Sequence, residues 1–285
     1  TQNQMTVALL ELASTAWRQG DSNRALSLSS DGLELARKCN NKMNEANAWN
    51  IKGLVQMTIG LYLESIDYFM KALTLYQDIG EKSGAGRVMG NLGISYTYLN
   101  MYDKALEYNS EVLALQLELQ EMSEVARITG NIGIIHLYKG NFQQALQNFL
   151  EASLLHEELR EKSSLARITA NIGMVYYSLG SFDLALDYLE TAYTYHKELE
   201  ERLFIAVDIG NIAMVYQKLG FLDKSLEMLI ESLNTFEIIG SKTQIASVTG
   251  NIGVLYSDLE SYEKALEYYR KAIILHTELG EKRKI

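Results

Sequence analysis

The stretch GNIGIIHLYKGNFQQAL, residues 130–146, decides the fold because the chain repeats it every 40 residues. Close copies begin at positions 90, 170, 210 and 250, a weaker copy begins at position 50, and the weakest begins at position 10. Seven copies occupy the 285 residues and leave no room for a separate globular domain. Self-similarity at such a period indicates a repeat architecture, in which each unit buries its apolar face against its neighbours.

Each copy contains two stripes of apolar residues at helical spacing. In the last copy, the first stripe runs from Ile252 to Leu259 at i, i+3, i+4 and i+7, and a second begins at Tyr262. In six copies the residue between the stripes is Gly or Asn, which tolerate the left-handed conformation that ends helices: Gly20, Gly60, Asn100, Gly140, Gly180 and Gly220. Glu260 departs from this rule, so we expect its turn to differ. The pattern predicts an all-α solenoid, a single array over residues 1–285 with repeats starting near residues 6, 46, 86, 126, 166, 206 and 246.

Composition excludes several classes of protein. The net charge of −10 argues against a nucleic-acid or anionic-membrane surface. Cys39 is the single cysteine, which excludes a disulfide framework and favours a reducing, cytoplasmic setting. No apolar run approaches the roughly 18 residues of a membrane span, and no signal peptide opens the chain. The chain starts without Met and ends abruptly, so we expect it to be a fragment of a longer protein.

These recurring residues resemble the tetratricopeptide repeat (TPR) family over essentially the whole chain. The family places small residues at its eighth position, here Gly53, Gly93, Gly133, Gly173, Ala213 and Gly253. It also places them at its twentieth position, here Ala25, Ser65, Ala105, Ala145, Ala185, Ser225 and Ala265. The resemblance implies a right-handed α-solenoid.

The chain departs from the TPR pattern in its period, which is 40 rather than about 34 residues, and in having no proline. Both departures imply longer helices, with the extra residues at the joint between repeats. This variant resembles the repeats of G-protein regulators in spindle orientation and of bacterial TPR signalling proteins.

The resemblance also implies a ligand surface, because the first helix of each TPR lines a concave groove. The family's sixth position, which points into that groove, is here a column of amides: Asn91, Asn131, Asn171, Asn211 and Asn251. Each amide offers a donor and an acceptor, so it can pair with a foreign main chain of any sequence. Rungs roughly 10 Å apart would meet about every third residue of an extended ligand. The alternative is that the amides brace neighbouring helices.

Basic and aromatic side chains extend the same face. Arg87, Arg127 and Arg167 stand four residues before an amide, an arrangement that resembles the carboxylate clamp of chaperone-binding TPRs. Arginine recognises carboxylates in a bidentate manner, so we expect a ligand with acidic residues or a free C-terminus. Tyr98 and Tyr138 follow at the thirteenth position. The alternative for the arginines is ion pairing with glutamates of the adjacent repeat, such as Glu124 or Glu161.

The two recurring glycines call for separate explanations, since each costs a helix roughly 1 kcal/mol relative to alanine. Gly130 precedes the amide and leaves the floor of the groove low, so that a ligand backbone could approach. Gly133 is explained by close packing between the two helices of a repeat.

No catalytic, metal or cofactor site emerges from the sequence. His156, His196 and His276 recur once per repeat, too far apart to share a metal ion at ligand distances of about 2 Å. We interpret them as packing or surface residues. We therefore expect a non-catalytic protein-interaction module that needs no cofactor and binds an extended, acidic peptide. The alternative is a regulatory or self-associating segment that controls an output domain, with a homodimer formed through a terminal repeat.

Overall fold

The computed structural model describes residues 2–278, and these residues form fourteen α-helices and no strand. The helices are α1 Gln2–Arg18, α2 Ser22–Lys38, α3 Lys42–Thr58, α4 Tyr62–Asp78, α5 Lys82–Tyr98, α6 Tyr102–Glu118, α7 Met122–Tyr138, α8 Phe142–Glu158, α9 Lys162–Ser178, α10 Phe182–Glu198, α11 Arg202–Lys218, α12 Leu222–Ile239, α13 Lys242–Asp258 and α14 Tyr262–Glu278. The predicted all-α solenoid of about seven helix-turn-helix repeats is confirmed.

The helices end in the same way every twenty residues, with one residue in the left-handed conformation. Glycine fills this place at Gly140, for example, whereas Arg160 and Glu200 fill it with φ of 59° and 55°. Glu260 also adopts a φ of 55°, so the expectation that its turn differs is wrong. The extra residues of the 40-residue period are helical and lie beside the joint, because α3 begins at Lys42, four residues before its repeat starts, and α2 and α3 each have 17 residues.

Small residues allow the two helices of a repeat to pack closely. Ala145, at the family's twentieth position, is fully buried. A Cβ atom added to Gly133 would lie 2.7 Å from Cε1 of Phe149, and one added to Gly173 would lie 2.8 Å from Cγ of Leu189. Because no side chain fits at these distances without displacing its neighbour, the packing explanation for Gly133 is confirmed.

The described residues form two compact units that divide after Glu121. In the N-terminal unit (α1–α6), a core cluster forms around Leu10, Leu33 and Val55. In the C-terminal unit (α7–α14), each helix packs on the next, and α7, α9, α11 and α13 contact one another in sequence. This second arrangement brings the first helices of successive repeats side by side.

None of the helices within residues 2–278 is both long and apolar enough to cross a membrane. The same residues contain no group of three His, Cys, Asp or Glu side chains placed to hold a metal ion.

Candidate functional site

The first helix of a repeat presents one partly exposed face that carries the predicted ligand residues. On α7, Arg127, Asn131, Ile134 and Tyr138 follow one another at helical spacing, and Tyr138 is 66% exposed. Arg127 is exposed, whereas Asn131 and Ile134 are half-buried. The spacing therefore produces a stripe with a cation, an amide, an apolar group and an aromatic ring in that order.

The five amides of the column differ in their partners. Asn91 donates from Nδ2 to Oδ1 of Asn50 over 3.3 Å, and Nδ2 of Asn251 lies 3.7 Å from Sδ of Met214. Asn131, Asn171 and Asn211 are half-buried and form no side-chain hydrogen bond with any residue among 2–278. Bracing by a neighbouring repeat thus occurs at the first and last amides, while the three middle amides keep their hydrogen-bonding capacity free.

A pocket in the C-terminal unit, between α7 and α9, brings two of the predicted pairs together. Arg127 and Asn131 line one side, Arg167 and Asn171 line the other, and Ile134 adds an apolar contact. Residues that are 40 apart in sequence are therefore neighbours on one surface, as the repeat period predicts.

The three predicted arginines differ in whether a carboxylate of the protein already pairs with them. Arg127 donates from Nη2 to Oε2 of Glu124 over 2.6 Å, so it is ion-paired on its own helix and not with an adjacent repeat. Arg167 lies 5.8 Å from the ring centroid of Phe204. Neither Arg167 nor Arg87 forms an ion pair with a carboxylate among residues 2–278. Ion pairing with a glutamate of the adjacent repeat is therefore found for none of the three arginines within residues 2–278.

Glu161, which the sequence suggested only as a partner of the arginines, also lines the pocket. Ser123 donates from Oγ to Oε1 of Glu161 over 2.6 Å, and this hydrogen bond lowers the pKa of the carboxyl. The side chain therefore carries a negative charge at neutral pH. The pocket combines two guanidinium groups with one carboxylate, so its positive charge is smaller than the arginines alone suggest.

His156 lies behind that carboxylate and is only 3% exposed. Its Nδ1 donates to Oε2 of Glu161 over 2.7 Å, which orients the carboxylate in the pocket. The sequence pattern predicts no more than a packing or surface position for His156. The signal that could have revealed its role is its place near the end of α8, directly before the joint that carries Glu161.

The next joint, between α10 and α11, places polar atoms deeper in the protein. His196 and Asp208 are each 1% exposed, and Nδ1 of His196 lies 2.6 Å from Oδ2 of Asp208. Nε2 of His196, Oδ1 of Asp208 and Oε2 of Glu201 are buried without a hydrogen-bond partner among residues 2–278. Burial raises the pKa of Asp208, although the bond to His196 opposes the shift.

The floor beside the amides is only partly open. A Cβ atom on Gly130 would lie 2.8 Å from Cδ1 of Ile168, so the next repeat fills this space and the expectation of a low floor is wrong at Gly130. At Gly90 no atom lies within 4 Å of such a Cβ, as expected for an open floor.

The two predicted tyrosines are both on the surface. Tyr98 is 52% exposed and stacks on Tyr62 with ring centroids 4.7 Å apart and planes 6° apart. Tyr138 is 66% exposed. Both rings can therefore offer contact area to a ligand.

Comparisons with known proteins agree with this architecture. The sequence matches the family model described as "Tetratricopeptide repeat" over residues 44–118, 124–198 and 205–275, which is more than half of the chain. A search of curated proteins gave no match.

Solved structures of similar fold include three Rap proteins. The chain aligns over 96% of its length with 76% of a Rap protein complexed with Competence and Sporulation Factor, at 18% identity and a TM-score of 0.78. It aligns over 97% of its length with 99% of the apo form of RapI, at 15% identity and a TM-score of 0.79. It aligns over 96% of its length with 74% of the Rap conjugation gene regulator of plasmid pLS20 in complex with the Phr* peptide, at 18% identity and a TM-score of 0.74. At these identities the likeness is one of fold.

Proposed function

The chain belongs to the tetratricopeptide repeat family, and we propose that it is a non-catalytic recognition module that binds an extended peptide segment of a protein partner. The ligand would lie along the exposed faces of the first helices, above all those of α7, α9 and α11. Two proteins of similar fold were solved with a bound factor or peptide, which supports this choice of ligand class.

The observation that carries the proposal is the free state of the middle amides. Asn131, Asn171 and Asn211 are half-buried and have no side-chain partner within residues 2–278. An amide in such a place is only partly solvated, so a ligand main chain that supplies both an N–H and a C=O group would satisfy it. The bond depends on the ligand backbone, which makes it insensitive to ligand sequence.

The spacing of the amides fits an extended chain. The first helices of these repeats contact one another, and packed helix axes lie about 8–10 Å apart. An extended chain advances about 3.3 Å per residue, so successive amides would meet about every third ligand residue. The three amides together would hold a segment of about seven residues.

The charges in the pocket give the proposed preference for acidic ligands. Arg167 has no carboxylate partner among the described residues, so it can form a bidentate pair with an acidic side chain or a C-terminal carboxylate. Arg127 would contribute less because Glu124 already occupies it. Glu161 limits the number of acidic ligand groups in the pocket, because its carboxylate repels a second ligand carboxylate and so favours a single acidic group.

A selection experiment tests the proposal. Displayed random peptides of about a dozen residues would be selected on the purified protein, on an Asn131→Ala/Asn171→Ala variant and on Asn148→Ala. Asn148 is a matched control because its amide donates to the backbone O of Gln144 on α8. We expect enrichment of peptides with one acidic residue on the wild type and Asn148→Ala, and no enrichment on the double variant. Equal enrichment on all three proteins would reject the role of the amides.

The second candidate function is a regulatory segment that controls an output domain. One observation favours self-association as its mechanism, namely the exposed apolar residues of the last helix. On α14, Tyr262, Leu266 and Ile274 are 63%, 55% and 57% exposed. Sedimentation at increasing protein concentration tests this candidate, because a strictly monomeric protein would rule out pairing through α14.

A further inference from the structure

A second constellation of charges lies in the N-terminal unit, on helices α2, α3 and α4. Trp49 and Tyr68 stack with ring centroids 5.3 Å apart. Three cationic groups surround this stack, and we call them the cationic cluster: Arg37, Lys52 and Lys71 lie 5.5, 5.7 and 4.9 Å from the centroid of the Trp49 ring. Lys52 and Lys71 also each lie 5.5 Å from the Tyr68 ring.

The central member of the cationic cluster occupies a position where the fold favours a hydrophobic residue. Lys52 is in register with five residues that are at most 8% exposed: Leu92, Ile132, Ile172, Ile212 and Ile252. An apolar side chain at this position contributes to the core of the five repeats that follow, whereas lysine brings a charge that resists burial. In the first repeat the position holds Leu12, which is 49% exposed. The requirements of folding alone therefore do not explain Lys52.

The charge of Lys52 is also unbalanced. Arg37 is ion-paired with Glu45 at 2.8 Å and Lys71 with Asp67 at 2.6 Å. Lys52 donates from Nζ to Oγ of Ser30 over 2.8 Å but has no carboxylate partner within residues 2–278. Burial, followed by the charges of Lys71 and Arg37, lowers the pKa of Lys52. An anion at this place would relieve both the repulsion and the unmet donor capacity of the ammonium group.

A lysine on α14 resembles Lys71, and the comparison shows which features of the cationic cluster are unusual. Lys271 is bonded to Glu267 at 2.6 Å and lies 5.1 Å from the ring of Tyr268, which repeats the arrangement of Lys71 with Asp67 and Tyr68. The pKa of Lys271 is raised, because its hydrogen bond to Glu267 stabilises the charged form. A lysine, an acid and a tyrosine at this spacing are therefore an ordinary surface arrangement, and the addition of Lys52, Arg37 and Trp49 distinguishes the cationic cluster.

We propose that the cationic cluster is a binding site for a phosphomonoester group. Lys52 would contact the phosphate at the centre, Arg37 and Lys71 would approach from the rim, and Trp49 would form the wall. A phosphomonoester has three acceptor oxygens, which can reach Lys52 and both cations of the rim at once, whereas a carboxylate has two. Since Glu45 and Asp67 already balance Arg37 and Lys71, the number of donors favours the phosphate, and the net charge of the site does not. The site shares no residue with the proposed peptide surface, whose predicted ligand residues lie on α5, α7, α9, α11 and α13.

The phosphate could belong to a free phosphate ester or to a phosphorylated residue of a partner protein, and the two sources share this chemistry. The experiment separates them by using three probes at constant ionic strength. These are inorganic phosphate, O-phosphoserine, and a synthetic peptide in its phosphoserine and serine forms. Binding would be measured by calorimetry and by intrinsic tryptophan fluorescence, with Trp17→Phe as the background so that Trp49 gives the signal.

The expected result is saturable binding of inorganic phosphate that is at least about tenfold weaker in Lys52→Leu, as expected when a hydrogen bond to a charged group is lost. Lys52→Leu copies Leu92 and should retain or raise the thermal unfolding midpoint, so the variant tests binding and not folding. Lys271→Leu is the matched control and should bind as the wild type does. Tighter binding of the phosphoserine peptide than of O-phosphoserine would assign the site to a phosphorylated partner, and equal binding would assign it to a free ester. No saturable signal with any probe in the millimolar range, or equal binding by Lys52→Leu, would overturn the proposal.

Discussion

Gly133 and Asn131 lie two residues apart on α7 and recur together through the chain, but they belong to two different surfaces. The place of a side chain at Gly133 is occupied by Phe149 of the paired helix. Asn131 faces a pocket and has no side-chain partner within residues 2–278. Recurrence in a repeat protein therefore has two causes. The packed face of a first helix recurs because its neighbour leaves no room. The open face recurs although the amides of its three middle repeats have no side-chain hydrogen bond within residues 2–278.

The largest change in the free energy of unfolding should come from a substitution on the packed face. Gly133→Ala would place Cβ 2.7 Å from Cε1 of Phe149, and overpacking of this kind costs about 1–3 kcal/mol. The gain in helix propensity, about 1 kcal/mol, offsets part of this cost. We expect a net loss of up to about 2 kcal/mol in the free energy of unfolding, measured by urea denaturation.

The chain supplies a control for that variant. Ala213 is the equivalent residue of another repeat, where it is fully buried, and Leu229 stands there in place of Phe149. Gly133→Ala combined with Phe149→Leu should therefore recover most of the lost stability in a double-mutant cycle. Equal destabilisation by the single and the double variant would show that Phe149 is not the cause.

A smaller change in the free energy of unfolding is expected where two buried residues are polar. His196 and Asp208 stand where the following repeat has Phe236 and Val248, which are 1% and 6% exposed. Replacing a buried pair of ionisable side chains by well-packed apolar residues can raise stability by about 1–4 kcal/mol. We expect His196→Phe/Asp208→Val to stabilise the protein by about 1 kcal/mol, because Phe204 already stacks on His196 and can stack on phenylalanine.

The single variant Asp208→Val, measured by the same urea denaturation, separates the loss of the carboxylate from the replacement of both side chains. Asp208→Val alone leaves His196 buried without its partner, so it should be less stable than the double variant. A double variant less stable than the wild type would show that the polar pair stabilises the joint.

On the open face, binding should respond more strongly than stability. Arg167→Ala should weaken binding of a selected acidic peptide about fivefold, the loss of roughly 1 kcal/mol expected for a partly exposed ion pair. Arg127→Ala should weaken it less, since Glu124 already neutralises that guanidinium. Fluorescence anisotropy in low and high salt measures the peptide affinity of both variants. The loss of affinity relative to the wild type should shrink as salt screens the charges. A larger loss for Arg127→Ala would contradict the assignment of Arg167 as the free cation.

The smallest effect on stability is expected for the amides themselves. Asn131→Ala/Asn171→Ala removes no hydrogen bond within residues 2–278, so the free energy of unfolding should change by no more than about 0.5 kcal/mol. Thermal and urea unfolding followed by circular dichroism measure this change. A loss of 2 kcal/mol or more, roughly the cost of breaking a buried network, would show that the amides brace the fold.

The sequence was sufficient for the packed face and only partly sufficient for the open one. The period of 40, the helix pairs and the role of Gly133 follow from apolar spacing and small residues, because packing constrains every repeat alike. The ion pair of Arg127 with Glu124 on its own helix is a local choice among several nearby glutamates, which spacing does not decide. The Asp208 carboxylate and the Lys52 ammonium depart from their columns, and comparison of repeats position by position would have found both.

The left-handed residue at Glu260 shows another limit of sequence patterns. Glutamate rarely adopts this conformation, and the left-handed region costs an L-residue roughly 1–2 kcal/mol. The repeat imposes it nevertheless, since the helices on both sides are fixed by their neighbours. Local preference was therefore a poor guide where tertiary packing decided the turn.

The most direct test of the account is nuclear magnetic resonance of the asparagine side-chain amides while a selected peptide is added. The signals would be assigned with single Asn→Ala variants. The account predicts that the side-chain NH₂ signals of Asn131, Asn171 and Asn211 shift with the same saturation curve, whereas that of Asn148, bonded to its own helix, stays in place. Saturable peptide binding that leaves these three signals unchanged would contradict the claim that the open amides hold the ligand.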